Sequence, residues 1–484
     1  MNIRAISIYI GYLLLVEGAF MFAALGVAAI YQEQASLVAF LMTIGVLLFI
    51  GLLLTRLRRG PGRVYAREGF VTVALGWVLI SFFGGLPFYI SGYIPNLLDA
   101  WFESVSGFTT TGASILKDVE ALSQSMLYWR SFTHWLGGMG VLVFMLAVVP
   151  LSKGSGETFH LLRAESPGPS VDKLAPTLRN SAQILYAIYI VLTIIQVLLL
   201  VLGGMPFFDS LLNTFATAGT GGFAIKNASI AAYPSPYLQL VIAVFMALFG
   251  VNFTVYHLIL AGQGRAALKN GEVRLYIGIM LFSTLLIALN ILPQYGSFSK
   301  AALLSFFQVS SIMTTTGFAT ADFNLWPQFS RYLLVVLMIF GACAGSTGGG
   351  AKQVRLLILL KSLKARMQMM LRPRAVNPVR MDGKQVKEDM ISGVYAFMAA
   401  YAMICIVSFL LLSFDNKSME TTLSALAACF NNIGPGLDLV GPAGNYSVFS
   451  PLSKFVLSID MLLGRLEIFP LLLLFSPSVW RRRA

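Results

Sequence analysis

Residues 308–320 read QVSSIMTTTGFAT, in which apolar and small residues ending at Met313 run into Thr314, Thr315, Thr316 and Gly317 with no charge among them. Three hydroxyl residues closed by a glycine are unusual in an apolar chain. Main-chain carbonyls can replace the water around a dehydrated K⁺ when side chains stay clear and one residue can adopt φ > 0. Thr-Thr-Thr-Gly has that chemistry, although Thr and Gly are also the small residues found where membrane helices touch.

The pattern recurs. Thr109, Thr110, Thr111 and Gly112 repeat it letter for letter after WFESVSGF; Ala218, Gly219, Thr220 and Gly221 follow NTFAT; Asn431, Asn432, Ile433 and Gly434 follow SALAACF. From Gly112 to Gly221 is 109 residues, on to Gly317 is 96, and on to Gly434 is 117. A short apolar helix before each glycine and a longer apolar segment on either side make a repeated helix, pore loop, helix unit. Four such units around one axis would form an ion filter.

Composition sets the class. The chain is 57% hydrophobic and 11% charged with mean hydropathy +0.78, whereas a soluble chain carries about a quarter charged residues. Cys343, Cys405 and Cys429 lie in apolar surroundings and offer neither a disulfide framework nor metal spacing. The net charge of +13 sits in short loops between apolar segments, where Lys and Arg mark the cytoplasmic side, so nucleic acid is not implied.

In chain order, residues 1–67 read as an accessory two-helix hairpin, closed by Arg56, Arg58, Arg59, Arg63 and Arg67. Residues 68–178, 179–272, 273–388 and 389–484 are the four pore repeats. In the first, Trp129 and Trp135 are expected at the outer interface; the basic, proline-containing loop 153–179 follows it. The inner helices of the second and fourth repeats are expected to run over 237–260 and 448–475. Ten crossings and four re-entrant loops place both termini in the cytoplasm. The fold class is therefore all-α, polytopic and pseudo-fourfold around one pore.

The third repeat departs from this scheme. Gly341, Gly345, Gly348, Gly349 and Gly350, with Ser346 and Thr347, interrupt an apolar span before a helical pattern resumes at Val354. Irregular backbone at membrane depth is tolerated only where protein buries it or it lines water, which suits a gate beneath the filter; the plainer reading is a packed kink. The basic stretch that follows, including Lys361, Lys364, Arg366, Arg372 and Arg374, carries the positive-inside signal and also suits an acidic cytosolic partner.

Taken in order, FESVSGFTTTGAS, TAGTGGF, TTTGF, NNIGPG, GACAGSTGGG and GRLEIFP resemble the Trk/Ktr/HKT superfamily of K⁺ transport proteins, over nearly the whole chain. The N-terminal hairpin is similar to that of the branch carrying one before its first pore repeat. The resemblance implies a homodimer with one pore per subunit and a cytosolic ring of TrkA-type regulatory subunits, with any nucleotide bound on that partner alone. K⁺ is then the ion held, by carbonyls of Thr110, Thr111, Thr220, Gly221, Thr315, Thr316, Asn432 and Ile433, with Gly112, Gly219, Gly317 and Gly434 completing the filter. In the family a serine at the first filter glycine goes with Na⁺ permeation, and Gly112 favours K⁺.

The implied function is K⁺ uptake across the bacterial inner membrane; a symporter coupled to H⁺ or Na⁺, or a Na⁺-permeable sibling, stays open because carriers also use broken helices. The resemblance points Arg465 into the pore as a barrier acting with Gly345, Ser346, Thr347, Gly348, Gly349 and Gly350. A buried structural pair is the other reading, with Glu467 poorly placed two residues away. Asp99 and Glu103 either draw cations to the mouth or favour the start of a helix. Glu17, Arg130 and His134 read as packing or interface residues. HExxH and phosphate-loop motifs are absent, so no enzyme is expected.

Overall fold

The computed structural model describes residues 1–57, 66–140, 178–373 and 377–480. The expectations for residues 153–177, for Arg58, Arg59, Arg63 and Arg374, and for the terminal arginines lie outside them. Six described helices are long and apolar enough to cross a bilayer, and Pro236–Phe249 with Phe253–Leu260 makes a seventh candidate bent by 91°. The chain is a predominantly helical integral membrane protein; a small ribbon pairing Arg380–Met381 with Lys384–Gln385 is the exception.

The hairpin Ile3–Ile30 and Gln34–Thr55 packs through small residues. A Cβ on Gly11 would meet Leu54, and one on Gly51 would meet Leu15, the close approach expected where no water drives helices together. Glu33, at the tip, accepts from Gln124 N (2.7 Å) and Ser125 N (3.2 Å) and so caps the helix Gln124–Gly138.

Among the described helices too short to cross, four precede the glycine turns. Leu97–Phe108, Phe207–Ala218 and Met419–Phe430 have 12 residues and Phe298–Met313 has 16, about 18–24 Å at 1.5 Å per residue against roughly 30 Å of hydrocarbon. Asn96 starts the first by accepting from Leu98 N (2.8 Å), and Ser418 starts the last by accepting from Thr421 N (3.1 Å).

The helices after the short ones depart from the expected straight spans. The expected helix over 237–260 breaks at Gly250–Asn252, and the one over 448–475 breaks after Arg465, where Glu467 and Ile468 have φ of +54° and +70°. The first break and the third repeat's glycine loop satisfy each other: Cys343 N donates to Gly250 O (3.1 Å) and Phe253 N to Gly345 O (3.0 Å). Mutual satisfaction is what permits unwound backbone at this depth. The expectation for Trp129 is also corrected: it is fully buried and donates to Gly84 O (2.9 Å), whereas Trp135 is half-buried, stacks on Tyr189 and donates to Thr193 (3.3 Å).

Candidate functional site

Each short helix ends in the same turn. Thr110, Thr220, Thr315 and Asn432 have φ of +56°, +53°, +60° and +57°. The next residue's amide closes back onto the helix: Thr111 N to Ser106 O, Gly221 N to Ala216 O, Thr316 N to Ser311 O and Ile433 N to Ala428 O, at 2.8–2.9 Å. One residue further, Gly112, Gly222, Gly317 and Gly434 have φ of +80°, +71°, +88° and +93°, a region that favours glycine.

This corrects the second repeat. Its turn is Gly219-Thr220-Gly221-Gly222, so Gly222, not Gly221, is the counterpart of Gly112, and Gly219 caps its helix as Thr109 does. The sequence GTGG allows both registers, and the helix end decides between them. The phenylalanine after Gly222, matching the one after Gly317, was the available signal.

The four turns meet. A Cβ on Gly112 would collide with the carbonyl oxygen of Gly221; on Gly222, with that of Thr316; on Gly317, with that of Ile433; and on Gly434 it would lie 2.7 Å from that of Thr111. In that order the contacts return to their start, so four glycines and four carbonyls alternate in a closed ring. All four glycines line one cavity of about 160 Å³, which Lys117, Arg130 and Lys226 also line.

The opposite end of the ring faces the glycine loop. A Cβ on Gly348 would approach Thr314 O (2.8 Å) and one on Gly349 would approach Asn431 O (2.5 Å), and Gly349 N donates to Thr315 Oγ1 (2.6 Å). Arg465 reaches the same place: it donates to Thr347 O (2.9 Å), Thr110 Oγ1 (3.3 Å), Gly138 O (2.8 Å) and Gly137 O. Glu467 instead pairs with Arg355 at 2.5 Å.

Two residues here escaped the sequence reading. Lys352, buried, donates to Gly348 O. Glu272 accepts from Ala344 N (2.6 Å) and Val354 N (3.0 Å), holding both sides of the loop. Nothing marks a glutamate 72 residues upstream as their acceptor; a lysine two positions after three glycines in an apolar span was the visible hint.

The acidic residues before the first turn do not line the cavity. Glu103 is buried, pairs with Arg130 at 2.7 Å and accepts from Ser114 (2.9 Å) and Ile115 N (3.0 Å); Asp99 pairs with Lys454 at 2.8 Å. Arg130 and His134, expected to be packing residues, lie directly behind the first two turns: Arg130 donates to Ala224 O (2.9 Å), and His134 Nδ1 is 2.8 Å from Gly107 O.

Long apolar helices around a buried ring of main-chain oxygens have the form of a membrane transport protein. The chain belongs to the TrkH family of cation transport proteins, whose family model matches residues 36–482. It is 37% identical over 490 residues to the Trk system potassium uptake protein TrkH of Salmonella typhimurium, covering 99% of this chain and all of that one. It is 32% identical over 489 residues to the Trk system potassium uptake protein TrkG of Escherichia coli, covering 99% of each. The crystal structure of the potassium transporter TrkH from Vibrio parahaemolyticus is similar at a TM-score of 0.88 and 34% identity, over 99% of this chain and 100% of that one.

Proposed function

We propose that the chain carries K⁺ into the cell across the bacterial inner membrane through the ring of turns, four helix, pore-loop, helix repeats forming one pore. The observation that carries this is the closed alternation of glycine and carbonyl through Gly112, Gly222, Gly317 and Gly434. Oxygens held by that fit cannot follow a smaller ion inward without breaking four contacts. In this reading the carbonyls of Thr110, Thr111, Thr220, Gly221, Thr315, Thr316, Asn432 and Ile433 replace the hydration shell. The partly negative C-terminal ends of the four short helices, which run into the ring, favour a cation there. The relatives named as potassium uptake proteins support K⁺ as the ion.

The glycine loop is the gate and Arg465 its electrostatic bar, both touching the inner end of the ring. A TrkA-like nucleotide-binding subunit on the basic cytosolic segments moves the loop, and the chain works as a homodimer. Reconstituted protein tests the core of this. Ohmic current reversing near the K⁺ potential, with Gly112→Ser and Gly317→Ser admitting Na⁺, is the expected result. Unchanged K⁺/Na⁺ permeability in both variants refutes the filter. A reversal potential fixed by a K⁺:H⁺ or K⁺:Na⁺ ratio indicates a coupled symporter instead.

A further inference from the structure

The second turn differs from its three counterparts in a way its own backbone does not demand. Gly219 and Gly221 occupy the positions of Thr109 and Thr111, Thr314 and Thr316, and Asn431 and Ile433, yet neither has a positive φ. In the first and third turns the two side chains brace each other, with Thr109 and Thr111 hydroxyls 2.8 Å apart and those of Thr314 and Thr316 likewise 2.8 Å. In the fourth, Asn432 donates to Thr111 Oγ1 and Met461 O, each at 2.9 Å. In the second turn Gly219 and Gly221 offer no side chain for a brace, and Thr220, at the position of Asn432, donates only within its own turn, to Gly219 O at 2.6 Å.

Its space is filled from the neighbouring repeat. A Cβ on Gly221 would run into Nδ1, Cγ and Cε1 of the His134 ring, and one on Gly219 into the His134 main chain. The fully buried imidazole lies between two repeats: Nδ1 is 2.8 Å from Gly107 O in the first short helix, and Phe223 N, directly after Gly222, donates to Nε2 at 3.2 Å. Because the Phe223 amide can only donate, Nε2 accepts and Nδ1 carries the proton given to Gly107. The Phe223 ring is held between His134, at 4.2 Å between centroids, and Arg130, whose guanidinium carbon is 3.5 Å from the centroid.

We infer that His134 is a positioning residue for ion selectivity: it supplies, from the first repeat, the brace that the glycine-rich second turn lacks, and fixes the Gly221 carbonyl and Gly222 in the ring. This rests on the filter reading. It explains both the glycine at 221 and the asymmetry among the four turns.

The test is the K⁺/Na⁺ permeability ratio of the full chain in liposomes. His134→Ala is expected to lower the ratio roughly three- to tenfold, the scale of one lost hydrogen bond. Gly221→Ala, which presses on the ring, lowers it similarly, and His134→Ala with Gly221→Ala falls no further than His134→Ala alone, because the new methyl enters the vacated space while the bonds to Gly107 O and Phe223 N stay missing. An unchanged ratio in His134→Ala, or losses that multiply in the pair, overturns the proposal. If His134→Ala does not assemble, assembly of the pair supports it, and an unaltered ratio in Gly221→Ala alone overturns it. Gly112→Ser separates the two readings: if it admits Na⁺ while His134→Ala changes nothing, only the role of His134 falls.

Discussion

The ring of turns and the loop beneath it use the same residue for opposite ends. In the ring, glycine brings main chain against main chain, and each of Gly112, Gly222, Gly317 and Gly434 is locked by the next repeat's carbonyl or, for the last, by the first. In the loop, Gly341, Gly345 and Gly350 also have positive φ, but much of the restraint comes from side chains: Glu272, Arg465, Lys352 and Thr315. Side-chain bonds to a loop can be exchanged for water at modest cost, whereas a ring of interlocked backbone can loosen only as a whole. Under the proposed gating, the comparison teaches how one membrane depth can hold a rigid element and a movable one.

The largest expected effect breaks the rigid half. Gly222→Ala must place a methyl against Thr316 O at a φ of +71°, so selectivity is lost, and combining it with His134→Ala goes further than His134→Ala alone, in contrast to Gly221→Ala. A combination that falls no further than His134→Ala alone would show that the register is wrong. Next comes the bar: Arg465→Ala should raise K⁺ conductance roughly tenfold, the low end of what a local field does to ion concentration, and Arg465→Lys should sit between. Misfolding of both variants in a thermal melt would make Arg465 a structural residue instead.

On the movable half, Glu272→Gln weakens two amide contacts and should raise open probability several-fold in single-channel records, as should deletion of several residues within 345–350. A closed but intact protein in both cases would argue for a packed kink. The smallest effect lies outside the membrane. Ser418 and Thr421 each donate to Asp438 at 2.6 Å, and these bonds hold its carboxyl below the usual 3.8. The stabilisation is present above that ordinary value and is lost as pH falls through the lowered one, so Asp438→Asn should flatten the acid side of a melting-temperature profile.

Much of this was legible in one dimension. The four turns stand out because a ring of close-packed backbone tolerates few residue types, and the glycine loop and Arg465 because unwound or charged segments are costly in an apolar span. The register of the second turn was not legible, since GTGG offers two equivalent placements. Glu103 and Asp99 could be read as a cation-drawing mouth or as charges favouring a helix start because charge alone does not disclose a partner; Arg130 and Lys454 lie 27 and 355 residues away.

From its residues alone the chain determined that it is membrane-embedded, that it carries four copies of one turn and that one span is interrupted, because hydropathy, glycine and hydroxyl patterns are local properties of the chain. Tertiary structure alone decided which glycine closes the second turn, that His134 fills the space beside it, and that Glu272 and Lys352 hold the loop. Each of those depends on a contact between segments distant along the chain or on the end of a helix, and such a contact exists only once the backbone has folded around it.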